Sequence, residues 1–279
     1  MFAYYTKEDR ELLRNVKAVR DYCKQIINDR RANPLKDGET ADLLSILLED
    51  EVYHNNDEVI VDECITFFLA GSQTVKATDG NILIHLIMND DVRAKLMNEL
   101  KSQVFTSANG EDPLSSLTYE KIQDLSYFSM VFNESLRLEP PVIFSGVMKF
   151  TEQQTLEGVN IARTDNIIVN LHQLHHDPDQ WIDSERFLPE RFDPESKYYL
   201  TPSGQRRHPL AFSPFLGGKR ICIGKTFAEI VAKLVISGLV SRLEFEFADP
   251  KQKFEPKILL NVDQIVQPKI MLKAKAVKI

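Results

Sequence analysis

The sequence predicts a mainly α-helical fold that also carries small β-sheets, in the α+β class. Apolar residues recur at helical spacing through the first half of the 279-residue chain, and short alternating runs take over after Pro140 and Pro141. A long irregular stretch, rich in proline and aromatic residues, then leads to one more helical segment. Because the chain shows no repeat and no low-complexity segment, we expect a single domain over residues 1–279.

Residues 1–140 are expected to be mainly helical, with asparagine, glycine and proline residues breaking the apolar periodicity into separate segments. The longest helix is expected at about 59–89, where nearly every face is apolar, so it should run through the core. The other helices of this half are expected at Glu8–Arg31, Thr40–Glu49, Asp91–Phe105, Thr118–Leu125 and Ser126–Leu138.

Residues 141–279 are expected to combine small sheets with irregular structure. Short runs within 142–170 alternate as strands do, and so does the tail after residue 242. The irregular segment covers Asp177–Pro214, and a stretch of that length without periodicity is usually functional. A glycine-rich loop at 215–224 and a final helix, at about Ile223–Val240, follow it.

Composition and charge exclude several classes of protein. With 43% hydrophobic and 27% charged residues, the chain is neither disordered nor collagen-like, and three cysteines cannot supply a disulfide framework. A net charge of −7 gives no electrostatic reason to expect a nucleic-acid partner. No apolar run is long enough to cross a membrane, and the charged first residues do not resemble a signal peptide.

The segment FLGGKRICIG, residues 215–224, delivers Cys222 to the start of the final helix. Free backbone N–H groups and the positive end of the helix dipole stabilise a thiolate at such a position. Gly218 and Gly224 permit turns or the close approach of a flat ligand. Arg220 can pair with an acidic group of that ligand, and Phe215 can shield the sulfur. The alternative is an ordinary loop around a buried cysteine, but the pattern F-x-x-G-x-R-x-C-x-G is rare by chance.

This loop resembles the haem-ligand loop of the cytochrome P450 family, the haem-thiolate monooxygenases. Three further segments match family motifs in the family's order: Glu134-Ser-Leu-Arg137, Pro189-Glu-Arg-Phe192 and Ala70-Gly-Ser-Gln-Thr74. Each segment alone has a plainer explanation, such as a surface ion pair between Glu134 and Arg137 or close packing at Ala70 and Gly71. Their joint order and spacing make the resemblance specific.

The resemblance implies a P450-like fold whose N-terminal part is missing, since the family is nearly twice as long as this chain. It also implies haem b, with Cys222 as the axial ligand of the metal. The implied cofactor-binding residues besides Cys222 are Arg220, Phe215, Gly218 and Gly224. A structural network of Glu134, Arg137 and Arg191 would lock the irregular segment, and with it the ligand loop, against a helix.

The implied catalytic residues lie on the long helix: Ala70, Gly71, Gln73 and Thr74. Ala70 and Gly71 would leave room for the ring and for oxygen, and Thr74 would hydrogen-bond the oxygen or a water. Gln73 stands where the family usually has an acid, and an amide cannot relay a proton by ionising. Proton delivery would then fall to water or to Thr74. His175 and His176 are expected to be structural, because the thiolate already accounts for the iron.

The implied function is a monooxygenase that inserts one atom of O2 into an apolar organic substrate, using electrons from an NADPH-dependent reductase. Phe67, Val142, Ile143, Phe144 and the turn Asn261–Val266 are the candidate pocket residues. Lys219, Arg220 and Lys225 would form a basic dock for an acidic electron donor, or are simply solvated.

Two alternatives stay open: a truncated or fragmentary non-catalytic relative with weak or no haem binding, and an oxygen-independent haem-thiolate isomerase. Membrane association would depend on an N-terminal anchor that this chain lacks. For a full-length eukaryotic relative, the expected location is the surface of the endoplasmic reticulum. The sequence assigns no compartment to this chain.

Overall fold

A computed structural model of the protein describes residues 6–36, 38–105, 115, 117–252 and 270–277. The chain divides into two compact units, Met1–Ser72 and Gln73–Ile279. The expectation of a single domain over the whole chain stays a prediction. Within the described residues, no helix combines the length and the apolar character that a membrane crossing requires.

The first unit contains α1 (Lys7–Ala32), α2 (Leu43–Glu49) and the start of α3 (Asp57–Met88). Side chains cap these helices: Thr6 and Asp9 form a reciprocal capping box on α1, Asp42 accepts the Ser45 N–H on α2, and Asn56 accepts the Val59 N–H on α3. A small apolar core joins the three helices through Cys23, Ile27, Leu47, Ile60 and Val61. The long helix expected at about 59–89 is therefore present, at 57–88.

The second unit contains the rest of α3 and the helices α4 (Asp90–Gln103), α5 (Tyr119–Asp124), α6 (Ser126–Leu138), α7 (Leu171–His175) and α8 (Lys225–Val240). Its core is formed by residues from α3, α4, α6 and α8, with Leu96, Leu100, Phe128 and Ile236 fully buried. The start of α6 has no cap of its own, and Glu99 of α4 replaces it by accepting the Tyr127 and Phe128 N–H groups at 2.7 and 2.9 Å.

Among the described residues of this unit, two pairs of strands run antiparallel. Strand β1 (Gln154–Leu156) pairs with β2 (Val159–Ile161), and Glu157 and Gly158 between them both have positive φ, as a type I′ turn requires. Strand β3 (Leu243–Phe247) pairs with β4 (Leu272–Ala276), and its two glutamates lie opposite lysines.

The strands expected elsewhere within 142–170 are reduced to isolated bridges between Phe144 and Asn170 and between Met148 and Ile167. Of the short runs expected to form strands, the one at 155–161 forms the β1–β2 hairpin, while those at 142–144 and 166–171 form isolated bridges and no ladder. The part of the alternating tail at 253–269, including the turn Asn261–Val266, lies outside the described residues.

The irregular segment runs from the end of α7 to the start of α8 and carries four short 3-10 turns: Pro189–Phe192, Lys197–Tyr199, Pro209–Ala211 and Gly218–Arg220. It packs around Trp181, the only tryptophan in the chain, which is 1% exposed. The rings of Phe192 and Phe212 lie 6.2 and 6.3 Å from the Trp181 ring, centroid to centroid. Aromatic packing and hydrogen bonds, rather than backbone periodicity, therefore hold this segment in place.

Candidate functional site

The loop at 215–224 is closed by one backbone hydrogen bond, in which the Cys222 N–H donates to the Phe215 carbonyl oxygen at 3.0 Å. Leu216 and Gly218 both adopt left-handed backbone conformations, with φ of 60° and 68°. Such a conformation is strained for leucine and free of cost for glycine. The ring of Phe215 lies 6.4 Å from that of Phe132 and packs against the core of the second unit. Phe215 thus anchors the loop to the core.

Cys222 is exposed, which contradicts the alternative of an ordinary loop around a buried cysteine. Large apolar side chains on the same stretch are exposed with it: Leu216, Ile221, Ile223 and Phe227. Ile223 is 77% exposed and Phe227 is 59% exposed, so the thiol lies among exposed apolar side chains, although Lys219, Arg220 and Lys225 are exposed on the same stretch. A flat apolar ligand with a metal ion at its centre would bury these side chains and use the thiolate as its ligand.

Glycines leave space beside this surface. A Cβ added to Gly217 or Gly218 would meet no atom within 4 Å, whereas one added to Gly224 would lie 3.7 Å from the Cys222 sulfur. Gly224 also serves as the N-cap of α8 and supplies no side-chain cap. The first-turn N–H groups of α8 therefore remain available at the end of the helix that Cys222 precedes by three residues.

A buried charged network lies behind the loop, on α6 and the irregular segment. Glu134, Arg137 and Arg191 are each 0% exposed. Both carboxylate oxygens of Glu134 accept hydrogen bonds from Arg137, whose Nε and Nη2 lie at 2.8 and 2.9 Å. The Oε1 atom of Glu134 also accepts from Arg191 Nε at 3.0 Å and from the Leu188 N–H at 2.8 Å. The structure thus brings the three residues of the predicted network together.

One carboxylate between two guanidinium groups leaves an excess positive charge inside the protein, and backbone carbonyls compensate it. Arg137 donates to the carbonyl oxygens of His175 and Arg186 at 2.9 and 3.2 Å. Arg191 donates to the carbonyl oxygens of Ile182, Asp183 and Arg186. Burial lowers the pKa of the Arg191 guanidinium, while the charge of Glu134 opposes that shift. The two arginines therefore hold the backbone of the irregular segment by hydrogen bonds to several of its carbonyl oxygens.

Arg207 extends the network and was missed by sequence reasoning. Its Nη2 donates to the Arg191 carbonyl oxygen at 2.5 Å, and its guanidinium carbon lies 4.4 Å from the centre of the Trp181 ring. Burial and the positive charge of Arg191 lower its pKa to about 10. No sequence spacing marks this residue, because the contact joins two points of a segment without periodicity.

The helical stretch 70–74 lies across the boundary between the two units, with Ala70 and Gly71 in the first and Gln73 and Thr74 in the second. Thr74 follows Ala70 by one turn of α3, and its carbonyl oxygen accepts the Thr78 hydroxyl at 3.0 Å. Assigning these residues to catalysis stays a prediction. Of the candidate pocket residues, Ile143 is buried, while Phe67, Val142 and Phe144 are half-buried.

Within the described part of the chain, no group of three or more histidine, cysteine and acidic side chains is arranged to hold a metal ion.

The chain matches the family model described as "Cytochrome P450" over residues 1–274. It is 29% identical over 262 residues to cytochrome P450 3A41 of Mus musculus, covering 89% of this chain and 48% of the mouse protein. It is 33% identical over 209 residues to cytochrome P450 9c1 of Drosophila melanogaster, covering 72% of this chain and 37% of the fly protein.

A solved structure, "Crystal structure of a Cytochrome P450 (CYP102L1)", superposes with a TM-score of 0.80 at 25% identity, covering 97% of this chain and 58% of that one. The predicted α+β fold class is confirmed by this match. The chain spans about half the length of the curated relatives it matches.

Proposed function

The chain belongs to the cytochrome P450 family, and from that premise we propose that it forms a haem-thiolate monooxygenase site with Cys222 as the axial iron ligand. The family consists of haem-containing oxidoreductases that use O2 and a redox partner, and the resemblance seen in the sequence is thereby confirmed. The proposed reaction inserts one oxygen atom into an apolar organic substrate, with haem b as the cofactor.

The observation that carries the proposal is the exposed Cys222 thiol among exposed apolar side chains. The segment that leads to this loop is held by the buried network of Glu134, Arg137 and Arg191. The residues present fit a haem. Cys222 supplies the thiolate, exposed apolar side chains at 216–227 match the porphyrin face, and Gly217 and Gly218 leave open space beside the loop. When bound, the haem supplies O2 activation at its iron, and the thiolate increases the electron density that favours O–O cleavage.

The other residues of the loop would hold and orient the cofactor. Arg220 is exposed on the 3-10 turn at 218–220 and would pair with a haem propionate. Phe215 anchors the loop through its contact with Phe132, and the proposed shielding of the sulfur by its ring stays a prediction. Gly218 supplies a left-handed backbone position, and Gly224 lets the chain turn into α8 next to the sulfur.

Glu134, Arg137 and Arg191 would position the ligand loop without touching the reacting atoms. Their hydrogen bonds fix the backbone at 175–191, and the irregular segment continues from there to Cys222. A buried network of this kind is costly when one partner is lost. We therefore assign the three residues a structural role in the site.

On α3, Ala70 and Gly71 would leave room beside the cofactor, and the Thr74 hydroxyl would hold a proton-donating water. Gln73 cannot ionise, so it would orient a water through its amide. Substrate class, reductase and turnover are proposals for the whole protein, because the chain spans about half of its relatives' length. A location at the surface of the endoplasmic reticulum is likewise a proposal for the whole protein.

The test is the absorption spectrum of the purified chain reconstituted with haem, reduced, and exposed to carbon monoxide. A red-shifted Soret band typical of thiolate ligation supports the proposal, and Cys222→Ala should abolish it. Cys64→Ala is the matched control, since Cys64 is half-buried in α3 and should leave the band unchanged. No haem uptake, or a band typical of histidine ligation, would favour the non-catalytic alternative.

A second readout needs no iron chemistry. In the haem-free chain, a thiol reagent should modify the exposed Cys222 much faster than the buried Cys23, and added haem should protect Cys222. If a site forms, consumption of O2 and reductant during substrate turnover separates the monooxygenase from the oxygen-independent isomerase.

A further inference from the structure

His175, the last residue of α7, is 0% exposed and contacts two parts of the protein, one through its backbone and one through its ring. Its carbonyl oxygen accepts a hydrogen bond from Arg137 Nη1 at 2.9 Å. Its ring nitrogen Nε2 accepts a hydrogen bond from the Ser213 backbone N–H at 3.0 Å. A single residue thus joins the charged network of α6 to the segment that precedes the Cys222 loop.

Ser213 begins the turn from which the ligand loop departs. Its carbonyl oxygen accepts the Leu216 N–H at 3.0 Å, and the next closing bond runs from the Cys222 N–H to the Phe215 carbonyl oxygen, also at 3.0 Å. Phe212, on the other side of Ser213, packs its ring 5.4 Å from the His175 ring. A continuous series of contacts therefore leads from Glu134 through Arg137, His175 and Ser213 to the backbone of Cys222.

The hydrogen bond to Ser213 requires a neutral imidazole, because Nε2 can accept a backbone N–H only when it carries no proton. Burial is the main reason that the pKa of His175 falls to about 3, and the charge of Arg137 adds to the shift, followed by those of His176 and His172. A contact with the Leu136 backbone acts in the opposite direction. The Ser213 hydrogen bond thus calls for an uncharged ring with its proton on Nδ1.

We propose that His175 is a positioning residue: by holding the Ser213 N–H, it transmits the constraint of the Glu134–Arg137 pair to the loop that presents Cys222. The inference deepens the proposed function and rests on it only where it concerns the iron ligand. His175 acts through the Ser213 backbone. The expectation that it is structural rather than a metal ligand is consistent with this role, since Nε2 already faces Ser213.

The test uses two substitutions that differ in one respect. His175→Phe keeps a ring against Phe212 but has no acceptor, whereas His175→Gln offers an amide oxygen at about the reach of Nε2. His176→Gln is the matched control, since His176 is the next residue and its ring Nδ1 lies 2.8 Å from the His172 carbonyl oxygen. Amide hydrogen exchange at Ser213, measured by NMR on the haem-free 279-residue chain, reports the contact directly.

We expect exchange at Ser213 to accelerate about tenfold in His175→Phe, as for the loss of one buried hydrogen bond. Exchange should stay near the wild-type rate in His175→Gln and His176→Gln. After haem addition, His175→Phe should show a smaller share of the thiolate-type carbon monoxide band, and His175→Gln should restore it. If His175 were only structural and did not position the loop, His175→Phe and His175→Gln would show the same share of the thiolate-type band.

An unchanged Ser213 exchange rate in His175→Phe would overturn the inference. If His175→Phe fails to fold, the wild-type chain still decides: nitrogen NMR of the His175 ring should show the proton on Nδ1, and a proton on Nε2 would overturn the inference. If the wild-type chain takes up no haem, the proposed function fails, while exchange and tautomer still decide the role of His175.

Discussion

Glu134→Gln is the sharpest test of the network behind the ligand loop. The substitution keeps the shape of the side chain and removes its charge from between two buried guanidinium groups. In the wild type, the carboxylate accepts four hydrogen bonds, three of them at Oε1. If the amide oxygen of glutamine takes the place of Oε1, its NH2 group faces Arg137 Nε, and two donors oppose each other.

The expected loss in the free energy of unfolding is about 3–5 kcal/mol, the range for removing one partner of a buried ion pair. Glu134 and its two arginine partners are 0% exposed, so solvent screening does not reduce this figure. A protein of this class is stable by about 5–15 kcal/mol, so the variant should fold and unfold at a lower urea concentration.

Trp181 fluorescence provides the assay. The chain has one tryptophan, and the Arg137 guanidinium lies 5.2 Å from its ring, so the signal reports the network itself. Asp90→Asn is the control: it removes the exposed Asp90–Arg93 pair of the same unit, and exposed pairs contribute less than about 1 kcal/mol. If Glu134→Gln destabilises the chain no more than Asp90→Asn does, the reasoning about the network is refuted.

Three further predictions follow from the described residues. Gly218→Ala, at φ of 68°, should cost about 1 kcal/mol of stability, whereas Gly217→Ala, at φ of −164°, should leave the stability of the haem-free chain unchanged; equal shifts of the urea midpoint would contradict this. Burial, with the nearby Glu185 charge, raises the pKa of Glu139 to about 8, so the native state keeps a proton that the unfolded chain releases. Stability should therefore fall as the pH rises from about 5 to 8, and Glu139→Gln should flatten that slope in urea titrations; an unchanged slope would refute the assignment. Arg207→Met should shift the Trp181 emission and lower the urea midpoint, because it leaves the Arg191 carbonyl without its donor; an unchanged emission spectrum would show that the Arg207–Trp181 contact is absent in solution.

Sequence reasoning was most successful where the physical rule is local. Helical periodicity located α3 within two residues of its observed bounds, because the apolar pattern of a helix repeats every turn. The turn at Glu157 and Gly158 lies inside a run expected to form a strand, and the chain there forms a hairpin. The short runs around Phe144 and Ile167 gave only isolated bridges, since an alternating pattern does not reveal whether a partner strand is long enough to form a ladder.

The residues of the candidate site likewise fall into those that a sequence motif predicted and those that only long-range contacts revealed. The motif order indicated Glu134, Arg137, Arg191 and the Cys222 loop without any structure. Spacing could not show that Arg207 joins the network or that His175 reaches Ser213. Their contacts join residues 16 and 38 positions apart in a segment where no period connects one position to the next.

The helical first half, the α+β class and the family could be read from the sequence, because they depend on residue types at short, repeating intervals. The assignment of Cys222 as the iron ligand stays a prediction from the same motif. The exposure of Cys222 among apolar side chains and the contact of Glu134 with Arg191, 57 positions away, emerge only from the folded chain. The same is true of the hydrogen bonds that His175 forms with Arg137 and Ser213. Burial and long-range hydrogen bonding follow from how the whole chain packs, and no local pattern encodes them.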